Sequence, residues 1–331
     1  LGENAIKPMV VGGSSSSLKA QHETSILDGI RAAYPEAEVV YERAYQGEPT
    51  IKGYNYSLYD ITDPRTPEQM LADALAVVAD ADYVIFAGGL NKAKLQDCEG
   101  KDRLEYGLPY GQDEIVRKIA AVRPDMIFVN VSGSPVAMPW IDEVAAVVQA
   151  WYLGSETGNA LADVLSGKVN PSGKLPLTFY KSVDQLPHFE NYDMEGHTYR
   201  YFRGEPLFPF GFGLSYTTFE YSDLQIAQDG AEFVVSYNVK NTGKKAGAEV
   251  SQVYVKDNEA SLVRPEKELK GFEKTYLKPG ETKKVSVRLG EEAFRMFNPI
   301  KHQWVVEPGE FTVFVGSSSA DLRLTGKLTV K

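Results

Sequence analysis

Cysteine is nearly absent from this 331-residue chain: the single Cys98 cannot form an internal disulfide, so the fold does not lean on oxidation. That leaves the compartment open, a periplasmic one included. No histidine lies near Cys98 in sequence, which argues against a catalytic thiol. Histidine is scarce too, and His22, His188, His197 and His302 stand far apart without ligand-like spacing, so no metal is expected. No basic stripe is present, and a net charge of −10 argues against a nucleic-acid surface. No apolar run reaches the roughly 18 residues of a membrane span. The opening Leu1-Gly2-Glu3-Asn4 carries no signal peptide and is expected to lie inside a larger protein. Two further signatures are missing. Gly12-Gly13-Ser14-Ser15-Ser16-Ser17 lacks the Gly-Lys-Ser/Thr ending of a phosphate loop, and Ser132-Gly133-Ser134-Pro135 is not a nucleophile elbow. No cofactor is expected.

What is present divides by period. Up to residue 180, apolar runs alternate with amphipathic stretches. Strands are expected at 6–11, 38–42, 83–87, 126–131 and 145–151, and helices at 23–34, 67–79, 112–122 and 157–165. Continuous apolar strands separated by such helices predict an α/β sandwich, a mostly parallel sheet in flavodoxin-like layers. From residue 216 to 331 the pattern changes to short alternating strands divided by turns such as Asn241-Thr242-Gly243 and Lys278-Pro279-Gly280. That spacing predicts an all-β sandwich of fibronectin type III or immunoglobulin type. Residues 181–215, rich in proline, glycine and aromatics, are too apolar to float and read as a connector pressed against the first domain.

Several expected strand ends run into small residues, at Gly12-Gly13, Gly88-Gly89, Ser132-Gly133 and Gly154-Ser155, and in a parallel sheet these ends share one edge. About ten residues past one of them stands Glu99-Gly100-Lys101-Asp102-Arg103. Glu99 is the candidate catalytic carboxylate, Gly100 would let the backbone take a positive φ, and an Asp102–Arg103 ion pair would fix the loop. A solvated charged loop reads equally from these residues. The serine loop at Ser14 and Ser15 is either a tight turn or a row of hydroxyls matched to those of a sugar.

Taken together and in order, Gly-Gly-Ser-Ser, Glu99-Gly100-Lys101-Asp102-Arg103, Leu108-Pro109-Tyr110-Gly111-Gln112, Ser132-Gly133-Ser134-Pro135, Gly158-Asn159-Ala160-Leu161-Ala162-Asp163-Val164-Leu165, Glu195-Gly196-His197-Thr198-Tyr199-Arg200-Tyr201 and Pro209-Phe210-Gly211-Phe212-Gly213 resemble glycoside hydrolase family 3. The resemblance runs through essentially the whole chain. It implies a (β/α)8 barrel carrying an aspartate nucleophile, then an α/β sandwich, then a fibronectin type III-like domain, of which the last two are expected here. It puts the general acid/base on Glu99 and a sugar contact on Ser14 or Ser15. Four successive serines depart from a pattern in which a third glycine is common. The implied activity is that of a retaining, exo-acting β-glucosidase, probed with β-linked oligosaccharides or aryl and alkyl β-glucosides. An isolated fragment would be inactive, and the full protein would be periplasmic or secreted. Two other arrangements are compatible with the chain: a stand-alone carbohydrate-binding or interaction module without catalytic activity, and an enzyme whose barrel follows Lys331.

Overall fold

The computed structural model describes residues 1–7, 18, 20–47, 62–93, 95–98, 100 and 102–331. They form two compact units, one of Leu1–Val169 with Lys181–Val183, the other of Asn170–Tyr180 with Asp184–Lys331.

In the first unit the helices begin where side chains satisfy their free amides. Helix α1 (Ile26–Ala33) starts at Ser25, whose hydroxyl accepts from the Asp28 N–H at 3.1 Å. Helix α2 (Pro67–Asp80) opens on a capping box between Thr66 and Gln69, with Pro67 at the position where a missing N–H costs nothing. Strand β1 (Ile85–Gly89), helix α3 (Gln112–Val122), strand β2 (Ile127–Val131), strand β3 (Ala146–Gln149) and helix α4 (Thr157–Leu165) follow. The strands lie parallel in the order β1-β2-β3, with Ile85 opposite Ile127 and Ile127 opposite Ala146.

Alternation along the strands sends side chains to two layers. Ala87, Val129 and Val131 join Ile26, Leu27 and Leu161 of α1 and α4. On the opposite face Phe86 stacks on Phe128 at 5.5 Å between ring centres, and Phe128 meets the fully buried Trp140 at 4.5 Å. Helices α1 and α4 cross at two glycines. A Cβ on Gly29 would lie 2.1 Å from the Gly158 carbonyl carbon, and one on Gly158 would lie 1.9 Å from the Ser25 oxygen.

The sheet edge differs from expectation. Leu1 runs beside β1: its N–H donates to the Ile85 oxygen at 2.7 Å and its oxygen accepts from Ala87 N–H at 2.9 Å. Glu3–Ala5 then turns as a 3-10 helix that Ile6 closes, and residues 8–11 lie outside the described residues. Residues 38–42 form no ladder, although Gly2 N–H reaches the Glu42 oxygen at 3.2 Å. Strand β1 also starts later than expected, because Tyr83 stands in solvent.

The second unit holds a short helix α5 (Thr198–Tyr201) and strands β4 (Phe219–Asp229), β5 (Glu232–Asn241), β6 (Gly247–Asp257), β7 (Glu268–Leu277), β8 (Thr282–Leu289), β9 (Met296–Asn298), β10 (Gln303–Val305), β11 (Gly309–Gly316) and β12 (Leu322–Val330). A sheet ordered β12-β11-β6-β7 faces one ordered β4-β5-β8 across a core that includes Tyr221, Val235, Tyr237, Val253, Leu277 and Val313. Strands β9 and β10 form a separate hairpin.

From Asp184 on the connector belongs to this unit and its rings pack on it, where the sequence had suggested the first domain. Tyr199 stacks on Phe210 at 4.2 Å, meets Tyr254 of β6 edge-on at 6.0 Å, and accepts a hydrogen bond from Leu269 N–H of β7 at 2.9 Å. Gln252 donates to the Gly211 oxygen at 3.1 Å. Residues 170–180 join the same unit, with Leu175 N–H on the Phe212 oxygen and Phe179 paired with Phe208. Lys174 lies 3.5 Å from the buried Glu249 carboxylate, which also accepts from the Tyr221 hydroxyl at 2.8 Å. The rings and the amides of β6 and β7 thus give the connector a dry partner, a pairing that local sequence does not encode.

The α1–α4 crossing gives a direct test. Gly158→Ala is expected to destabilise the first unit by about 1–3 kcal/mol, because the obstacle is backbone that cannot rotate away. Gly173→Ala, where no atom lies within 4 Å of the new Cβ, is expected to leave stability unchanged. Hydrogen exchange of the α1 and α4 amides reads the first effect separately from the second unit.

Candidate active site at the strand ends

The carboxyl ends of β1, β2 and β3 open on one edge of the sheet, where ladder hydrogen bonds run out and side chains must replace them. At the end of β1, Gly89 adopts φ 119°, and a Cβ there would lie 2.2 Å from the Val131 oxygen. Only glycine fits both demands. The fully buried Gln112, first residue of α3, clamps this glycine. Its Oε1 accepts from Gly89 N–H at 2.9 Å, and its Nε2 donates to the oxygens of Gly89 at 2.8 Å and Pro109 at 3.0 Å. At the end of β2, Asn130 Nδ2 donates to Ser132 Oγ at 3.0 Å and to Gln149 Oε1 at 2.7 Å, while Gln149 Nε2 reaches Ser132 Oγ at 3.1 Å. Strands β2 and β3 are therefore tied to each other by side chains before their loops begin.

The loop after β1, residues 91–103, lies over these ends and is fastened at three points. At its start the Lys92 ammonium sits 4.5 Å from the ring centre of Tyr152, in the loop after β3. In the middle, Asp97 accepts three hydrogen bonds, from Gly133 N–H at 2.5 Å, Ser134 Oγ at 2.6 Å and the Tyr152 hydroxyl at 2.9 Å. At its far end Arg103 Nη2 donates to the Pro135 oxygen at 2.5 Å, with its guanidinium 5.6 Å from the Tyr106 ring centre. The backbone between these points is strained. Lys92 (φ 59°), Leu95 (φ 64°) and, across the cleft, Trp151 (φ 55°) are left-handed without being glycine, a conformation costing about 1–3 kcal/mol each that persists only where contacts over-determine it.

Electrostatics favour the observed pattern. Burial lifts the Tyr152 hydroxyl well above the usual phenol range, and the neighbouring Asp97 lifts it further, so it remains a donor. Burial lowers the Lys92 ammonium and the Arg103 guanidinium from their ordinary values, and the Asp97 carboxylate opposes both shifts. Arg103 Nη1 and Gln96 Oε1 are buried without a hydrogen-bond partner. An open cleft of about 490 Å³ is lined by Gln96, Asp97, Asp102, Arg103, Gly133 and Ser134.

Of the residues singled out in sequence, Glu99, Ser14 and Ser15 lie outside the described residues. Gly100 has φ 79°, the conformation its place after Glu99 suggested. Asp102 is exposed, and the expected Asp102–Arg103 ion pair does not form; Arg103 turns instead to the Pro135 oxygen and the field of Asp97. The side chains that organise the site, Asp97, Gln112 and Tyr152, were not legible as such. Tyr152 is 55 positions from Asp97, and no local motif links them. Among the described residues no group of three or more His, Cys, Asp or Glu is placed to hold a metal, and no helix is long and apolar enough to cross a membrane.

Residues 1–216 match the model of the glycosyl hydrolase family 3 C-terminal domain, and residues 249–319 match that of a fibronectin type III-like domain. A beta-glucosidase of Bacteroides ovatus is 42% identical over 98% of this chain and 46% of its own length. A periplasmic beta-glucosidase of Salmonella typhimurium is 36% identical over 95% of this chain and 44% of its own length. The crystal structure of a Bifidobacterium adolescentis beta-glucosidase superposes with a TM-score of 0.85 at 33% identity, covering 99% of this chain and 48% of that one. The chain spans about half the length of these relatives.

The Gln112 clamp can be tested by itself. Gln112→Leu keeps the volume but removes the partner of the Gly89 N–H and the side-chain donor to the Gly89 oxygen, while the Pro109 oxygen keeps the Gln112 backbone N–H, and each buried group left unpaired costs ~1–3 kcal/mol. A loss of roughly 3 kcal/mol in chemical denaturation of the first unit is expected. A change below about 0.5 kcal/mol, within the range of ordinary surface substitutions, would show the clamp to be dispensable.

Proposed function

Because the chain belongs to glycoside hydrolase family 3, we propose that it is the C-terminal part of a retaining, exo-acting β-glucosidase, with Glu99 as the general acid/base. In this reading the nucleophilic aspartate stands on an N-terminal (β/α)8 barrel outside this sequence, and Ser14 and Ser15 contact the sugar in its glycone subsite. The observation that carries it is the arm of residues 91–103, fastened by Asp97 and Arg103 over the carboxyl ends of a parallel sheet. Open α/β sheets bind ligands in that crevice. The names of the relatives support terminal β-D-glucosyl residues as substrate, and that of the Salmonella relative supports a periplasmic or secreted setting.

The chemistry requires two carboxyl groups about 5–5.5 Å apart. The barrel aspartate attacks the anomeric carbon while Glu99 gives its proton to the departing glycosidic oxygen. Glu99 then takes a proton from the water that releases the sugar, and the configuration is retained. To hold a proton at working pH, Glu99 needs its pKa raised, which burial against substrate and the negative nucleophile supply in the assembled enzyme. This chain alone has one carboxylate of the pair and is expected to leave aryl β-glucosides intact.

The test is Glu99→Ala in the full-length enzyme. An acid/base contributes roughly 10²–10⁴-fold, and least where the leaving group is already good. Alkyl glucosides and disaccharides should therefore suffer far more than dinitrophenyl glucoside. Azide should enter the vacated space and release a glycosyl azide. Equal slowing of all leaving groups without azide rescue would make Glu99 a structural residue and end this assignment.

A further inference from the structure

We propose that Asp97 is the positioning residue of the acid/base arm, holding the segment that bears Glu99 through one carboxylate shared among two other strand-end loops. The inference rests on the reading of Glu99 above. Asp97 lies two positions before Glu99 and three before Gly100, midway between the Lys92 and Arg103 attachments. Its Oδ1 accepts from Ser134 Oγ, and its Oδ2 accepts from both Gly133 N–H and the Tyr152 hydroxyl. Three donors converge on two oxygens, so the group must be an acceptor at both. An ionised carboxylate meets that demand, whereas an amide would turn an NH2 toward the Ser134 hydroxyl or toward Gly133 N–H and Tyr152.

The surroundings fit a carboxylate held in one pose. Lys92 and Arg103 provide positive field from the two ends of the arm, and the ring of Tyr152 lies under the first while its hydroxyl bonds Asp97. Left-handed Lys92 and Leu95 on one side and Gly100 on the other give the arm a shape that its own backbone does not favour. The Asp97 bonds tie that shape to the loops after β2 and β3, and in the reading above the reactive carboxyl belongs to the residue two positions further along the chain. Displacement of a reacting group by about 1 Å costs on the order of 10²-fold in rate.

The experiment compares Asp97→Asn, Asp97→Ala, Tyr152→Phe and Glu99→Ala in the full-length enzyme, with alkyl glucoside, dinitrophenyl glucoside and azide as probes. For Asp97→Asn, kcat/KM on the alkyl glucoside should fall roughly 10–100-fold, as for a displaced acid, while that on dinitrophenyl glucoside changes by less than about 3-fold. Azide should not rescue it, because the Glu99 carboxylate remains on the arm and repels the anion. Tyr152→Phe, which removes one of three donors and keeps the ring, should show the same leaving-group split at roughly 3–10-fold with its melting temperature nearly unchanged. Loss of activity equal for both leaving groups, or no loss in either variant, would overturn the positioning role. Azide rescue of Asp97→Ala but not of Glu99→Ala would overturn it as well, by making Asp97 the acid/base itself. Failure of the Glu99 reading is separately visible, since Glu99→Ala would then show no leaving-group split whatever Asp97 does.

Discussion

The unpaired backbone at the carboxyl ends of the parallel strands is the constraint on which the site depends. The ladder pairs β1 with β2 and β2 with β3, but beyond Gly89, Val131 and Gln149 it stops while the chain is still partly buried. Side chains take over: Gln112 serves Gly89, Asp97 serves Gly133 N–H, and Asn130, Ser132 and Gln149 serve one another. Each of these reaches between two strand ends or between a strand end and a loop. The polar groups that stabilise the sheet edge thus include Asp97 and Gly133, which also line the cleft above it.

Sequence patterns located the elements well wherever burial was one-sided and local. The helices at 67–80, 112–122 and 157–165 carry apolar faces, the first with a capping box as well, and the β-strands after residue 216 carry alternation and turn residues, so both kinds were readable. The first strand was not. Leu1 takes a position beside β1 by two backbone hydrogen bonds that leave no trace in side-chain pattern, and of the strand expected at 6–11 only Ile6 and Lys7 are among the described residues, neither of them in a strand. The connector failed for a related reason. Its rings announce burial but not against what, and the partner turned out to be Tyr254 and the edge amide of Leu269.

In the site, Glu99 and the serine loop lie outside the described residues, while the ion pair expected between Asp102 and Arg103 gives way to a bond from Arg103 to the Pro135 oxygen. Adjacent charges in a loop point wherever the backbone turns them, so proximity in sequence says little about pairing. Asp97 gains its importance from Gly133 and Tyr152, which only the folded sheet brings to it.

The buried pair of Lys174 and Glu249 bears on where the chain can be divided. Glu249 belongs to β6, and its carboxylate has two polar neighbours, the Tyr221 hydroxyl and the ammonium of Lys174, which comes from a segment more than forty residues before the first strand of the sandwich. Excising the sandwich at its first strand would strip the ammonium nearest Glu249 and leave only the field of Arg323 from β12 to offset a buried anion, which is destabilising. The smallest autonomous piece of this half of the molecule therefore begins near Asn170, and what looks in sequence like a hinge between domains is the opening segment of the second one.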